Sequence, residues 1–379
     1  YRYKLTKCCY SKRTSSLSLL ANIISGSSNW SVLFKNGQAG SSLYNRIELC
    51  WINSNFLLLL MDRTFCIAPM MGRTDTHFRN LCRFASKHAV LFTEMVHSNA
   101  LLKNKRIDKY IQKTDIENPV VFQLGGCEPK DLAEATKIIN ENKYDEINLN
   151  VGCPSPRVKS GGFGAFLMYE PTKVKDCLSA MTASSDIPIT AKIRLGVDNQ
   201  DIEETLDNFI EIILQSGIKT LYVHARKGML EGLNPKENRN IPPLNYERVY
   251  RLKEDFPDIE IILNGGLSNF LEDKNKLKMV DGLMYGRYVC EKPYELTKVD
   301  KIFYQSTKER DIKTLVMMME KYLIENQNLG FSGYLIKRHM VNFFKGFSYS
   351  KKIRQIIMSD NLNVDEIIRI LKKKHLLVA

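Results

Sequence analysis

The sequence predicts a protein of the α/β class, a (β/α)8 TIM barrel followed by a small C-terminal helical bundle. Three observations predict it. Eight β-rich runs alternate with amphipathic helical stretches between residues 61 and 303. A polar residue or glycine lies at or within two residues of the end of each of the eight runs, and chemistry in such barrels collects at the carboxyl ends of the strands. Beyond residue 303 the hydrophobic pattern becomes wholly helical.

The eight runs are short, rich in β-branched and aromatic residues, and bounded by glycine, proline or polar residues. They cover residues 65–70, 89–95, 119–124, 146–152, 187–196, 220–226, 260–266 and 282–287. A doubly wound sheet is the alternative arrangement, but it gives no reason to stop at eight strands.

The clearest helix between the runs has Asp201 as its expected N-cap and Glu204 as the capping-box partner three residues later. We expect it to end at Gly217. The residues on its apolar face are Ile202, Leu206, Phe209 and Ile213.

Charge divides the chain into three predicted parts. Residues 1–60 carry seven basic residues and one acid among many Ser and Asn, which is typical of a targeting segment, so we expect an extension outside the fold. Residues 61–303, the barrel, carry 34 residues of each sign. Residues 304–379 carry fourteen basic and seven acidic residues, on helices expected at 312–326, 334–347 and 364–379. This excess suggests contact with a polyanion, with a solvated basic face as the alternative.

Two classes of protein are disfavoured by the composition. The longest apolar run, 56–61, is far shorter than the roughly 20 residues that span a bilayer, so no membrane partner is expected. The nine cysteines form no C-x-x-C pair and no zinc spacing, so we expect reduced thiols and no metal site.

One cysteine is distinguished by its position. Cys153 lies between Gly152 and Pro154, just after the run 146–152, and a glycine-rich loop follows it. Most unpaired cysteines are small buried apolar residues, but a cysteine on a loop past a strand end lies outside the packed layers. Cys153 is therefore a candidate catalytic residue, with a structural thiol as the alternative.

The last two strand ends predict a phosphate site. Gly265 and Gly266 follow the seventh run and Arg287 follows the eighth, which is where barrels of this kind bind phosphate. A tight turn would explain each glycine alone. Together with Lys192 and His224 they indicate a flavin mononucleotide (FMN) site, in which the lysine stabilises negative charge on the reduced ring.

A long insertion, 224–250, follows the sixth run. Loops of this length in compact domains are usually functional. Lys236 and Arg239 are spaced to contact phosphates, and solvated loop charges are the alternative.

Several motifs in this order resemble those of the tRNA-dihydrouridine synthases, over residues 65–355. They are APMMGRTDTHFR (68–79), FTEMV (92–96), NPVVFQLGG (118–126), NLNVGCPSPRV (148–158), AKIRLGVDNQD (191–201) and HARKGMLEGLNPKENRNIPPLNYERVYRLK (224–253). The insertion and KRHM (337–340) resemble in particular the subfamily that modifies positions 20 and 20a. The chain departs from the family pattern at Gly72 and Arg73 (usually Asp-Trp), at Pro156 (usually Asp) and at Phe166 (usually Cys).

The resemblance implies a monomeric enzyme with FMN in the barrel mouth, NADPH as electron donor and the D-loop of tRNA as partner. The C5=C6 bond of uridine would be reduced to 5,6-dihydrouridine, with hydride from the flavin to C6 and a proton from Cys153 to C5. The motif match assigns flavin binding to Pro69, Met70, Met71, Gln123, Lys192, His224, Asn264, Gly265, Gly266, Gly286 and Arg287. It assigns tRNA contact to Asn150, Lys236, Arg239 and Arg338.

Two other functions fit part of the pattern. An FMN barrel acting on a free pyrimidine would share the mouth residues but would not need a basic helical part. A non-catalytic RNA-binding relative would keep the fold but would have no use for Cys153 beside an intact flavin site.

Overall fold

The computed structural model of the chain describes residues 61–307, 309–360 and 362–372. The predicted extension, 1–60, lies outside the described residues. Nine strands form one parallel sheet: β1 Phe65–Ile67, β2 Leu91–Phe92, β3 Val96–His97, β4 Val120–Gly125, β5 Glu146–Asn150, β6 Ile189–Arg194, β7 Thr220–His224, β8 Glu260–Asn264 and β9 Gly282–Tyr285.

The sheet closes on itself. Each strand from β4 to β9 pairs in parallel with the next, and β9 pairs with β1. The seam between β1 and β2 is bridged by Ile67 N–H to the Val90 carbonyl at 2.8 Å and by Val90 N–H to the Phe65 carbonyl at 2.9 Å. The predicted second run, 89–95, contains β2, and β3 begins directly after it. The two strands pair with successive parts of β4. The TIM barrel prediction is confirmed.

Helices surround the barrel and follow it. Their bounds are α1 Thr76–Ala85, α2 Ser98–Leu102, α3 Asp108–Ile111, α4 Pro129–Asn140, α5 Pro156–Ser160, α6 Pro171–Ala183, α7 Glu204–Leu214, α8 Tyr246–Asp255, α9 Phe270–Asp273, α10 Arg287–Glu291, α11 Val299–Phe303, α12 Ile312–Asn328, α13 Gly333–Phe343, α14 Ser350–Met358 and α15 Val364–Lys372. In the part of the chain that the structure describes, no helix is both long and apolar enough to cross a bilayer.

Side chains along each strand alternate between the outer and inner faces of the barrel, and they form two separate apolar clusters. On β4, Val120, Phe122 and Leu124 belong to the large cluster between barrel and helices, whereas Val121 belongs to a small cluster inside the barrel. Side chains such as Gln123, which bonds across to Asn148 of β5, continue the inner layer towards the mouth. The barrel interior is therefore apolar only in part, and its upper part is polar.

The expected N-cap of α7 is wrong by two residues. The helix begins at Glu204, and Glu203 occupies the cap without a side-chain hydrogen bond. The Asp201 carboxylate instead accepts from the Glu203 N–H at 2.9 Å, which closes a local turn before the helix. Three of the four predicted apolar residues, Leu206, Phe209 and Ile213, are buried on the helix. The fourth, Ile202, lies before the helix and is half-buried.

Helices α12 and α13 overlap the first two predicted segments, and α15 overlaps the described part of the third, 364–372, whereas α14 is an additional helix. Helices α12 and α13 pack on α1 of the barrel. At this junction the Asp75 carboxylate caps α1 and accepts from Arg338 Nη2 at 3.0 Å, and it lies 2.9 Å from His339 Nε2. His77 Nδ1 lies 2.9 Å from the Tyr322 hydroxyl. The predicted boundary between a barrel domain, 61–303, and a helical domain, 304–379, stays a prediction.

Candidate active site

Two strand ends meet through Lys192 and Asn264. The Lys192 ammonium donates to Asn264 Oδ1 at 2.9 Å. Asn264 Nδ2 donates in turn to the Met284 carbonyl on β9 at 2.7 Å, so the amide oxygen is held towards the lysine. Three neighbouring elements, β6, β8 and β9, therefore fix the direction of one ammonium group at the barrel mouth.

The glycine pair after β8 lets the backbone pack closely against His224 and Tyr246. Gly265 and Gly266 have φ values of 113° and 69°, which favour glycine. A Cβ at Gly265 would lie 2.7 Å from His224 Cδ2, and one at Gly266 would lie 2.9 Å from the Tyr246 hydroxyl. That hydroxyl donates to the Gly265 carbonyl at 2.7 Å, which fixes the turn. The backbone here thus forms a cradle that a side chain would fill.

The mouth collects positive charge. Burial, and then Arg194, lower the pKa of Lys192 to about 7. Burial together with four cationic neighbours, Lys192, Arg194, Arg226 and Arg287, holds the pKa of His224 well below its ordinary value. The largest electrostatic contributions to these two pKa values come from cations, and the Cys153 thiol contributes in the opposite direction to that of Lys192. Such a donor set suits an anionic ligand, and the phosphate and reduced ring of a flavin have that character.

The insertion folds over this mouth. Arg287 Nη1 donates to Asn240 Oδ1 at 2.6 Å, and its Nη2 donates to the Arg239 carbonyl at 3.1 Å. Gly286 approaches the loop after β1, since a Cβ there would lie 3.8 Å from Met70 Sδ. The predicted residues Met70, Arg239, Gly286 and Arg287 are therefore brought to one edge of the mouth.

Asn150 holds the loop that carries Cys153. Its Oδ1 accepts from the N–H groups of Gly152 at 3.2 Å and of Cys153 at 3.0 Å. Its Nδ2 donates to Gln123 Oε1 at 2.9 Å, and Gln123 Nε2 donates to Asn148 Oδ1 at 2.9 Å. The position of the cysteine is thus tied to a chain of amides along the barrel wall.

The other side of the loop is fixed by the glycine-rich segment. The Cys153 carbonyl accepts from the Ala165 N–H at 3.0 Å. Gly164 has a φ of 64°, and a Cβ there would lie 2.7 Å from that carbonyl oxygen. The Cys153 side chain is half-buried, and its sulfur lies 3.6 Å from Ser155 Oγ. The thiol is therefore accessible on a loop whose backbone is held from two sides.

Cys153 shares its surroundings with the cations of the mouth. Its thiolate form would raise the pKa values of Lys192, Arg194 and Arg239. Electrostatic interactions therefore connect residues of three segments: β6, the loop after β5 and the insertion.

Arg194 is a functional candidate that the sequence analysis did not assign to the site. The side chain is buried and makes three backbone contacts: Nε donates to the Gly152 carbonyl at 2.8 Å, and Nη1 donates to the carbonyls of Lys227 at 2.8 Å and Asn238 at 3.3 Å. It thereby joins the cysteine loop to the insertion. Its spacing of two residues from Lys192 was the available signal, because such residues share one face of a strand.

Some predicted site residues lie apart from this cluster. Met71 is 67% exposed, Lys236 is exposed on the insertion, and Pro69 is half-buried before Met70. Arg338 pairs with Asp75 at the helical junction. The assigned roles of these residues, and of the others in the flavin and tRNA sets, stay predictions.

Comparisons with known proteins agree with one another. The model of the family described as dihydrouridine synthase (Dus) matches residues 66–376. Three relatives carry the name tRNA-dihydrouridine(20/20a) synthase. The protein of Shewanella oneidensis is 42% identical over 298 residues, which are 78% of this chain and 88% of that protein. The Synechocystis protein is 42% identical over 297 residues, with 78% and 89% covered. The Pseudomonas aeruginosa protein is 39% identical over 301 residues, with 79% and 90% covered.

Among solved structures, an old yellow enzyme homologue from Zymomonas mobilis superposes with a TM-score of 0.46 and 10% identity. The superposition covers 66% of this chain and 92% of that one.

Proposed function

Because the chain belongs to the dihydrouridine synthase family, we propose that it reduces the C5=C6 bond of D-loop uridines in tRNA to 5,6-dihydrouridine. FMN would occupy the barrel mouth, NADPH would be the electron donor, and Cys153 would be the proton donor. The resemblance seen in the sequence and the relatives named above point to the uridines at positions 20 and 20a.

The observation that most supports this proposal is geometric: β5 and β6 pair Asn150 with Lys192, and Asn150 Oδ1 accepts from the Cys153 N–H at 3.0 Å. A reduction that adds hydrogen across a double bond needs a proton donor beside a site that stabilises negative charge. Cys153 and Lys192 belong to different elements, the loop after β5 and the end of β6, and the closed barrel brings them together.

The residues of the mouth fit a flavin. Gly265 and Gly266 bring the backbone of the turn close to His224, and their N–H groups would bind the phosphate. Lys192, aimed by Asn264, would neutralise charge on the ring. When bound, FMN supplies the hydride equivalent that uracil accepts at C6.

The chain itself supplies the proton. Cys153 would act as a general acid towards C5, because its thiol carries a proton that it can donate. Asn150 orients the loop through two backbone N–H groups, and Arg194 holds the preceding carbonyl. These contacts would keep the sulfur in one position while the base enters.

The uridine must leave its stack to reach the mouth, which costs a few kcal/mol. Contacts between basic residues and tRNA phosphates would offset this cost. Lys236 and Arg239 on the insertion and Arg338 on α13 are the proposed contacts. Their placement on two separate elements, the insertion and α13, supports binding of a large RNA.

The proposal predicts that Cys153→Ala removes most of the activity. Since general acid catalysis contributes about 10²–10⁴-fold, dihydrouridine formation on tRNA should fall by that order. Flavin absorbance and NADPH oxidation should persist, because the cations of the mouth are unchanged. The measurement is mass mapping of dihydrouridine in tRNA from cells that lack the protein, rescued by either form.

Cys127→Ala is the matched control. Cys127 is also a half-buried thiol, and its sulfur lies 3.6 Å from the Gly161 carbonyl of the same glycine-rich segment. This variant should restore dihydrouridine fully. Full product formation by Cys153→Ala would exclude the thiol as proton donor, and no dihydrouridine with the unsubstituted chain would exclude the proposed function.

A further inference from the structure

The cysteine loop, residues 153–163, leaves the barrel mouth and returns to it. Within it α5 is followed by a tight turn, in which the Gly162 N–H donates to the Lys159 carbonyl at 3.0 Å and the Phe163 N–H donates to the Val158 carbonyl at 3.3 Å. These backbone bonds lie inside the loop, so they shape it without attaching it to the barrel wall. Its position at the mouth therefore depends largely on side-chain contacts.

The ring of Phe163 is an apolar anchor at the end of this loop. It is 5% exposed and meets the His97 ring at 4.7 Å between centroids and 77° between planes, an edge-to-face geometry that aromatic pairs favour. A Cβ on Gly125, which pairs with His97 across β3 and β4, would lie 3.0 Å from Phe163 Cε2 and 3.0 Å from Met95 Sδ. The lack of a side chain at Gly125 thus leaves the niche that the phenylalanine ring occupies.

Two further contacts of the loop are weaker than this anchor. Lys159 Nζ lies 2.7 Å from Glu231 Oε1 on the insertion, but the pair is exposed at the surface, where such pairs contribute little. The Cys127 thiol, a weak donor, lies 3.6 Å from the Gly161 carbonyl. Of the three contacts, the buried ring is therefore the one that can hold the loop against the barrel.

His97 is itself held in place. Its Nδ1 accepts from the Asn99 N–H at 3.1 Å, which caps α2, and only an unprotonated nitrogen can accept there. Burial lowers the pKa of His97, and the opposing charges of Asp131 and Lys103 act on it as smaller effects. The imidazole therefore stays neutral at neutral pH and presents a fixed ring to Phe163.

A displacement of the Phe163 ring would reach the thiol through two residues. Gly164 and Ala165 follow Phe163 directly, and the Ala165 N–H donates to the Cys153 carbonyl at 3.0 Å. A Cβ at Gly164 would lie 2.7 Å from that carbonyl oxygen, so the backbone packs directly on the Cys153 peptide. Because a rotation of this peptide would turn the side chain that it carries, the position of the ring determines the position of the sulfur.

From this geometry we propose that Phe163 and His97 act together as positioning residues for Cys153. The contact between the two rings holds the cysteine loop in the position from which the thiol donates its proton. The inference rests on the proposed function, in which Cys153 is the proton donor. Asn150 orients the loop where it begins, and the aromatic pair holds it where it ends.

The test uses the full-length, FMN-loaded protein with Phe163→Leu, which keeps an apolar side chain but removes the ring contact. Oxidation of the reduced flavin by tRNA should slow by about tenfold, because small displacements of a reacting group are costly, while flavin reduction by NADPH keeps its rate. The half-buried Cys153 thiol should also become more accessible. Its alkylation by iodoacetamide, located by mass mapping of peptides, should therefore be several-fold faster.

His97→Asn supplies a second variant. Asparagine can still cap α2 but offers no ring to Phe163, so the tRNA step and the alkylation rate should change as they do in Phe163→Leu. The double variant should show little further change, because the two substitutions break one contact. Fully additive effects in the double variant would overturn the inference.

Phe122→Leu is the matched control. Phe122 is fully buried on β4 and makes the same kind of contact with Tyr144, at 5.0 Å and 74°, between the barrel and its helices. This variant should lose stability yet leave both flavin steps and the alkylation of Cys153 unchanged.

Unchanged alkylation or an unchanged tRNA step in folded Phe163→Leu protein overturns the inference, as does equal slowing of both flavin steps. When the unsubstituted protein makes dihydrouridine, any of these results refutes the inference without touching the proposed function. An unsubstituted protein that makes none refutes the proposed function itself.

Discussion

The two ends of the barrel interior differ in whether their cations have carboxylate partners. At the amino end, Arg63 donates to Glu146 through Nε at 2.9 Å and Nη2 at 2.6 Å, and to Glu260 through Nη1 at 2.9 Å. The hydroxyls of Thr190 and Tyr222 complete the shell of Glu146 at 2.6 Å and 3.0 Å. At the carboxyl end, the cations of the mouth face no comparable carboxylate among the described residues.

This difference distinguishes charges that stabilise the fold from charges that bind a ligand. A charge that its own chain neutralises and hydrogen-bonds contributes to the fold, because the desolvation cost is offset within the protein. A cluster of cations without counter-charges is destabilising until an anion arrives. We therefore interpret Arg63 and Glu146 as a structural pair, and the mouth as a site whose charge is balanced by its ligand.

The largest expected effect follows from breaking the structural pair. Glu146→Gln should lower the free energy of unfolding by about 3–5 kcal/mol, because it leaves Arg63 buried with reduced compensation. Both side chains are almost wholly buried, with 2% and 0% exposure. The measurement is urea denaturation of the flavin-free protein, and FMN affinity of the folded fraction should be retained.

Glu295→Gln serves as the control for this change. Glu295 pairs with Lys298 at 2.9 Å on the surface, and such pairs contribute about 0–1 kcal/mol. If the two variants lose equal stability, the buried Arg63–Glu146 pair contributes no more than a surface pair. The interpretation of that pair as structural would then be wrong.

The second prediction concerns the unpaired end. Lys192→Met should weaken FMN binding by about 10–100-fold, the equivalent of one hydrogen bond to a charged group. The same change should stabilise the flavin-free protein, because it removes a buried ammonium without a counter-charge. Lys137→Met, at a 57% exposed position on α4, should change neither quantity.

The stability that Lys192→Met adds to the flavin-free protein should depend on pH in a definite direction. Lys192 has a pKa of about 7 in the folded chain, against an ordinary value of 10.5. Between these values the unfolded chain binds one more proton, so the stability of the flavin-free protein falls as pH is lowered from about 10 to about 7. The advantage of Lys192→Met should therefore grow over this window and level off below it. An advantage that stays constant across it would contradict the low pKa.

Local patterns predicted most of the barrel. The eight barrel runs were readable because β-rich runs and their glycine or proline boundaries are sequence-local signals. The short strand β3 was not recognised. The family assignment was confirmed for the same reason, since its motifs are contiguous. The N-cap of α7 was misplaced because Asp201 can close a turn as readily as it caps a helix. Helix α14 was missed because Tyr349, which precedes it, has a φ of 62° and supplies no recognisable cap.

Contacts between distant residues could not be predicted in this way. The bond of Arg338 to Asp75 spans 263 positions, and that of Arg194 to the Gly152 carbonyl spans 42. Nothing in the sequence around either arginine identifies its acceptor. The closed barrel and its packed helices decide those partners, so Arg194 was visible only as a polar strand end.

The smallest expected effect tests Arg194 as the link between the cysteine loop and the insertion. Arg194→Lys keeps the charge near Lys192 but cannot reach three carbonyls with one ammonium. The loop should then sample positions in which the thiol is misplaced, and small misplacements of a reacting group are costly. We expect the oxidation of reduced flavin by tRNA to slow by about tenfold, while flavin reduction by NADPH keeps its rate.

Comparing the two half-reactions distinguishes positioning from general stability. Arg248→Lys is the control, because Arg248 is an equally buried arginine that bonds to Asp207 and to the Ile202 carbonyl on the outside of the barrel. It should lose stability yet leave both half-reactions intact in the folded protein. Equal slowing of both steps in Arg194→Lys would assign the arginine to folding alone. Selective slowing of the tRNA step would mean that Arg194 contributes by holding the backbone of the cysteine loop and the insertion, and not by contacting the flavin.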